Sequence, residues 1–288
     1  MEIRKVGIIG GGIMGAGIAL RAAQHGFLTV LMDALPEVLK GAEIRIHASL
    51  SKWVEQGILG TAQKLAVMEC IEYSPDLHAV ANCDIVSEAV SENVDIKKQV
   101  FADLDRICSS ETILASNTSS IPIQKLASAT QRPDRVLGIH FMNPPQRIDL
   151  VEMIATGTTS KETLRLCEQF VTRLGCEVVK SKDSPGFVVN RILIPMVNEA
   201  AYVLQAGVAS AEDIDRALVK GSHQPMGPLA LADLIGLDVV LSILRTLHEE
   251  FKNNRYLPCP LIVQHVMHNR LGRKTGKGFF EYPVKVSS

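Results

Sequence analysis

His140 closes an apolar run, Val136 to Ile139, and twelve residues further on Glu152 is the single carboxylate in another, Leu150-Val151-Glu152-Met153-Ile154. A carboxylate within an apolar strand is costly unless it is paired, and the imidazole is its natural partner. Such a pair is a general base: the acid fixes the ring tautomer and stabilises the imidazolium that forms when a hydroxyl proton is taken. Removing a carbinol proton while its hydride departs needs such a base. A lone histidine is usually structural, so the weight rests on its place at a strand end. Two further groups stand where they could hold the reacting oxygens. Ser119 lies in Ala115-Ser116-Asn117-Thr118-Ser119-Ser120, a dense set of hydroxyls and amides after an apolar strand, whereas Ser120 reads as the N-cap of a helix beginning after Ile121-Pro122. Asn190, in Gly186-Phe187-Val188-Val189-Asn190-Arg191, can donate to a carbonyl; the alternative is a helix-packing hydrogen bond.

A hydride needs an acceptor, and the N-terminus supplies the pattern for one. Val6 to Gly17 reads V-G-I-I-G-G-G-I-M-G-A-G, an apolar strand running into Gly10, Gly12 and Gly15 and then into a helical pattern. Gly10 permits the tight turn, Gly12 lets the backbone approach a diphosphate, and Gly15 allows close packing of helix on strand. Amides at the helix N-terminus would then face an anion. The second apolar run, Phe27 to Met32, ends at Asp33, placed to accept from an adenosine ribose diol and to repel a 2′-phosphate, so NAD is expected rather than NADP. The plainer alternative for Asp33 is a cap on the next helix.

The elements that must position these residues alternate. Strands are expected at Val6–Ile9, Leu28–Met32, Ile85–Ser87, Thr112–Ala115, Val136–Ile139 and Glu177–Val179, with helical patterns between most of them. That alternation predicts an α/β fold with a parallel, doubly wound Rossmann sheet. Pro36 to Cys70 is too long for a simple crossover and reads as a projecting helical pair. After Asp183-Ser184-Pro185-Gly186 the apolar spacing becomes helical to the end, which predicts a Rossmann domain over 1–185 and an all-helical C-terminal domain over 186–288. The 288 residues are 47% hydrophobic, enough for one large or two ordinary domains, and the net charge of −1 without a dense basic patch argues against a nucleic-acid partner. The apolar stretch Pro228 to Leu244 is broken by Asp233 and Asp238, so no membrane span is expected. Six cysteines with no paired spacing and no histidine at ligand spacing read as reduced thiols rather than a metal site. With a strand starting within a few residues of Met1, no signal or transit peptide is expected, and a cytoplasmic location follows.

Taken in order, these motifs resemble the short-chain L-3-hydroxyacyl-CoA dehydrogenases, of the bacterial 3-hydroxybutyryl-CoA type, over the whole chain. The resemblance rests on G-G-G-I-M-G-A-G-I-A, A-S-N-T-S-S at 115–120, H-F-M-N-P at 140–144, L-V-E at 150–152, S-P-G-F-V-V-N-R-I-L at 184–193, Q-P-M-G-P-L at 224–229 and L-G-R-K-T-G-K-G-F-F at 271–280. It implies NAD-dependent, reversible oxidation of an L-3-hydroxyacyl-CoA to the 3-ketoacyl-CoA. His140 would be the base, Glu152 its orienting partner, and Ser119 and Asn190 would bind the reacting oxygens. Lys97 would touch the nicotinamide-side ribose, with Glu92 in the same cofactor-facing loop and Asn117 also on the cofactor side. It further implies a homodimer formed through the C-terminal domain, and an acyl-CoA whose phosphates meet lysines such as Lys52. Gln56 stands where a second basic residue is expected, and Arg147-Ile148-Asp149 precedes L-V-E where the family often has a basic residue. Those departures motivate a free hydroxy acid as the alternative substrate, as in carnitine and gulonate dehydrogenases. A noncatalytic NAD-binding protein, as among lens crystallins, is the alternative from another class.

Overall fold

The computed structural model describes residues 2–283. It contains an eight-stranded sheet of β1 (Lys5–Ile9), β2 (Leu28–Met32), β3 (Ile71–Ser74), β4 (Ile85–Glu88), β5 (Ile113–Ser116), β6 (Val136–Phe141), β7 (Leu150–Ala155) and β8 (Glu177–Lys182). Their spatial order is β3-β2-β1-β4-β5-β6-β7-β8. The chain winds from β1 to one edge, returns, and proceeds from β4 to the other, so the order reverses between β1 and β4, where ligands of open α/β sheets bind. Strands β4, β5 and β6 are buried along their whole length, which is why they read as continuous apolar runs rather than alternating ones.

The strand β3 was not expected from the sequence. It is the sheet edge, paired only with β2, and its I-E-Y-S stretch buries only Ile71, so no apolar run marks it. Strands β1, β4 and β5 differ from expectation by one residue at an end or in register, and two differ by more: β8 runs on to Lys182, and β6 runs on through His140 to Phe141. The sheet is not parallel throughout. Strand β7 pairs antiparallel with β6 because residues 142–149 are too few for a crossover, and β8 pairs parallel with β7.

Helices α1 (Ile13–Gln24), α2 (Pro36–Glu55), α3 (Thr61–Glu69), α4 (Val94–Ile107), α5 (Ile123–Ala127) and α6 (Lys161–Arg173) connect the strands. The expected helical pair is α2 and α3, inserted between β2 and β3. Helix α2 buries Leu39, Ala42, Ile46, Leu50 and Trp53, spaced three or four apart, in the core that also holds α1. The expected Ser120 cap is a correction: the first amides of α5 are capped from a distance, with Ile123 N donating to Asp183 Oδ1 at 3.0 Å and Gln124 N to Asp183 Oδ2 at 2.8 Å.

The chain divides into two compact units, Met1–Ser184 and Pro185–Ser288. The second comprises α7 (Val189–Gln205), α8 (Ala211–Gly221), α9 (Pro228–Ile235), α10 (Leu237–Phe251) and α11 (Pro260–Met267) around a core of residues such as Ile194, Val197, Leu229, Val240 and Leu244. Two buried aspartates organise it. Asp215 accepts from the Leu229 and Ala230 amides that start α9, and Asp233 accepts from Phe279 N, Phe280 N and the Tyr282 hydroxyl, fastening the glycine-rich C-terminal segment. Among the described residues no helix is long and apolar enough to cross a membrane.

Candidate active site

Antiparallel register brings the expected acid and base together. His140 and Glu152 are directly opposed in the β6–β7 ladder, so their side chains share one face. His140 Nδ1 lies 2.8 Å from Glu152 Oε2, and both side chains are buried. In the tautomer with its proton on Nδ1, the ring donates to the carboxylate and Nε2 carries the lone pair. The loop joining the two strands is clamped by Arg21, buried on α1. Its guanidinium donates to the carbonyls of Pro145, Ile148, Leu174 and Gly175 and, at 2.5 Å, to Asp149 Oδ1. Asn117 Oδ1 accepts from Phe141 N at 2.9 Å, tying β5 to the strand that carries His140.

The glycine loop has the form of a dinucleotide cradle. Gly10 has φ +105°, and a Cβ there would stand 2.6 Å from Ala89 O; one on Gly15 would stand 1.7 Å from Gly10 O. A Cβ on Gly12 would meet nothing within 4 Å, so the backbone is open where a pyrophosphate would approach. Gly12 caps α1 without any side-chain hydrogen bond. Asp33 follows β2 and folds back on the loop: Oδ2 accepts from Gly11 N at 2.8 Å and Oδ1 from Leu35 N at 3.0 Å. The helix cap itself is Leu35. These features fit NAD, a pyrophosphate on the helix N-terminus and a carboxylate at the adenosine ribose.

Glu92 and the 118–120 loop form one hydrogen-bonded unit. Glu92 Oε1 accepts from Thr118 Oγ1 at 2.5 Å, from Ser119 N and Ser120 N at 3.0 and 3.2 Å, and from the Ser119 and Ser120 hydroxyls at 3.3 and 3.1 Å. Burial pushes the Glu92 carboxyl up, but the Lys97 charge and the Thr118, Ser119 and Lys97 hydrogen bonds outweigh it and hold it below the usual range. Lys97 is itself buried, its ammonium 2.6 Å from Glu88 Oε1 and 3.3 Å from Glu92 Oε2. Glu88 was not among the expected site residues. The reasoning that found Glu152 applies to it equally, since it is an acid closing the apolar run Ile85-Val86-Ser87-Glu88.

Lys52 is exposed in the last turn of α2, with Gln56 as that helix's C-cap. Lys64, on α3, reaches the same helix through a 2.9 Å bond to Ser51 Oγ. Asn190 lies in the first turn of α7, in the second unit, and is half-buried. The cysteines are free thiols, and burial pushes Cys83 up to about 12 and Cys108 to about 11, which leaves both without nucleophilic character near neutrality. Among the described residues no group of three or more His, Cys, Asp or Glu side chains could hold a metal ion.

Comparison with known proteins gives this arrangement a family. Residues 5–184 match the family model of the 3-hydroxyacyl-CoA dehydrogenase NAD-binding domain, and residues 186–282 match that of the 3-hydroxyacyl-CoA dehydrogenase C-terminal domain. A 3-hydroxybutyryl-CoA dehydrogenase of Bradyrhizobium diazoefficiens is 45% identical over 97% of this chain and 96% of its own length. The mitochondrial hydroxyacyl-coenzyme A dehydrogenase of Mus musculus is 41% identical over 97% of this chain and 91% of its own. The crystal structure of (S)-3-hydroxybutyryl-CoA dehydrogenase from Ralstonia eutropha superposes with a TM-score of 0.94 at 42% identity, covering 98% of this chain and all of that one. With both domain models matched in order and relatives this similar over nearly its whole length, the chain belongs to the 3-hydroxyacyl-CoA dehydrogenase family of NAD-dependent oxidoreductases.

Proposed function

We propose that the protein oxidises a short-chain L-3-hydroxyacyl-CoA reversibly to the 3-ketoacyl-CoA, with His140 as the general base and Glu152 as its orienting partner. The observation that carries this reading is the buried 2.8 Å contact between Nδ1 and the carboxylate, set by cross-strand register. When bound, NAD accepts the hydride that leaves C3. Nε2 of His140 takes the 3-hydroxyl proton as that bond breaks, and the Glu152 charge stabilises the imidazolium. In the reverse direction the imidazolium returns the proton to the oxygen. Ser119 and Asn190 hold the substrate oxygens. Gly10, Gly12, Gly15 and Asp33 hold the adenosine diphosphate half of NAD. On the nicotinamide side Glu92 presents its exposed edge to the ribose, Lys97 keeps that carboxylate ionised from beneath, and Asn117 fixes the neighbouring backbone.

Lys52 meets the phosphates of CoA, and Lys64, beside it across Ser51, makes up for the missing charge at Gln56. The names of the relatives and the lysine pair favour a CoA ester over a free hydroxy acid. Turnover of NADH with acetoacetyl-CoA should exceed that with free acetoacetate by at least about a hundredfold in kcat/KM, since the free acid forgoes all binding to the handle. Equal values would assign the free acid as substrate, and no NADH consumption with either would support a noncatalytic role. We further propose a homodimer through the helical domain, whose exposed Ile192, Val208 and Met267 are apolar surface suited to a partner copy. Sedimentation at the mass of one chain would refute it. The free thiols, buried except for the half-buried Cys70, suit a reducing, cytoplasmic compartment.

A further inference from the structure

Glu88 is completely buried, at the carboxyl end of β4, and registers with Ile9 of β1 on one side and Ser116 of β5 on the other. It therefore sits at the point where the sheet order reverses. Its side chain bonds to Lys97, Val90 and Ser116. Oε1 accepts from Lys97 Nζ at 2.6 Å and from Val90 N at 2.7 Å, and Oε2 accepts from Ser116 Oγ at 2.7 Å. Lys97 carries the chain of contacts onward. Its ammonium meets three acceptors, Glu88 Oε1, Val90 O and Glu92 Oε2, and Glu92 then gathers the Thr118, Ser119 and Ser120 donors on a single oxygen. A second route is shorter: Ser116 Oγ, held by Glu88, accepts from Thr118 N at 3.2 Å.

From these two converging routes we infer that Glu88 is a positioning residue for the reaction, holding the 118–120 loop and hence the Ser119 hydroxyl in working position through Lys97–Glu92 and through Ser116. The inference rests on the reading of Ser119 as a substrate contact. A buried ion pair is a poor source of stability, because the desolvation of both charges offsets their attraction, and apolar replacements are often tolerated. What such a pair does supply is direction. With Glu88 ionised, the Lys97 ammonium is drawn down by one carboxylate and aims its remaining hydrogens at Val90 O and Glu92, so Glu92 is fixed from below while the loop is fixed to Glu92 from above. With a neutral amide at position 88 the ammonium loses its closest counter-charge and moves toward Glu92, and the oxygen that gathers the loop donors is drawn off its place.

The test is a double-mutant cycle of Glu88→Gln and Ser119→Ala, read as steady-state kinetics with acetoacetyl-CoA and NADH, together with the NADH dissociation constant by fluorescence and the thermal midpoint. Glu88→Gln should lower kcat/KM by about tenfold or more, the scale of a lost charge-assisted hydrogen bond, while the NADH dissociation constant, to which Glu92 also contributes at the ribose, rises by clearly less than that loss. On the Ser119→Ala background the same change should cost less than about twofold, because the group it positions is already gone. A full tenfold loss on that background, or a fall in NADH affinity large enough to account for the whole effect, overturns the inference while leaving the role of Ser119 intact. A Ser119→Ala enzyme with unchanged kcat/KM overturns both. Should Glu88→Gln not fold, Ser116→Ala severs the shorter route alone; the same non-additivity with Ser119→Ala is expected, and additivity contradicts the inference.

Discussion

Glu88 and Glu92 stand four residues apart and respond to their surroundings in opposite senses. Burial raises Glu88 above the usual carboxylate range, whereas at Glu92 the Lys97 charge and the loop donors overcome burial and lower it. A carboxyl whose folded pKa is depressed contributes stability above its unfolded value of about 4.3 and loses it as the pH falls through the folded value. The unfolding free energy of the native protein should therefore exceed that of Glu92→Gln by a margin that is constant above about pH 5 and shrinks in more acid solution. Denaturant titrations at several pH values check this, and a margin unchanged between about pH 3 and 7 would contradict the assignment. At this scale the sequence was legible where an acid interrupts an apolar run. Glu152 was found that way, and Glu88 satisfies the same criterion. The partners of Lys97 were not legible: the resemblance made it a contact to the nicotinamide-side ribose, and only the fold, which leaves it 1% exposed, puts its ammonium between Glu88 and Glu92. Ser120 misled for a related reason. It stands three residues before α5 in sequence, yet Asp183, sixty residues from Ile123, takes the capping place, and the Ser120 hydroxyl donates to Glu92.

Among the elements, the turn from β1 into α1 separates packing from ligand approach glycine by glycine. Gly15 is pressed against the Gly10 carbonyl, so Gly15→Ala must displace backbone, and a lowered melting midpoint is expected together with weakened NADH binding. Gly12 faces open space. Gly12→Ala should leave the melting midpoint within a few degrees, of order 1 kcal/mol, yet weaken NADH binding by about tenfold or more, because the added methyl stands where the diphosphate approaches. Equal effects of both substitutions on stability would contradict this division of roles. Most strands were legible because they are buried on both faces, as parallel strands beneath two layers of helices must be. The edge strand β3 and the last residues of β6 were not. The first lacks an apolar run, and the second contains the very histidine that the sequence reading placed beyond the strand end. Its inclusion in the ladder brings His140 opposite Glu152, so the boundary error concealed the geometric reason for the pair. The reversal of β7 has the same origin: no local pattern distinguishes a parallel from an antiparallel strand, and only the length of the connection decides it.

For the molecule as a whole, the change from alternating to helical patterning near residue 185 coincides with the division into two compact units and with the boundary between the two matched family domains. Composition was silent on function; the glycine fingerprint, the strand ends and the order of motifs carried it. The proposed cofactor-binding and proton-transfer groups lie on different strands of one sheet, the first on β1, β2 and β4 and the second on β6 and β7. The two functions are therefore separable by a single substitution. His140→Gln keeps a polar side chain of similar size beside Glu152 but removes the proposed base. The most direct measurement is NADH affinity and NADH-dependent reduction of acetoacetyl-CoA by this variant, side by side with the native enzyme. NADH should bind within about threefold of native affinity while kcat falls by about a hundredfold or more, the scale of a lost general base. Native turnover in His140→Gln would contradict the claim that this imidazole moves the proton.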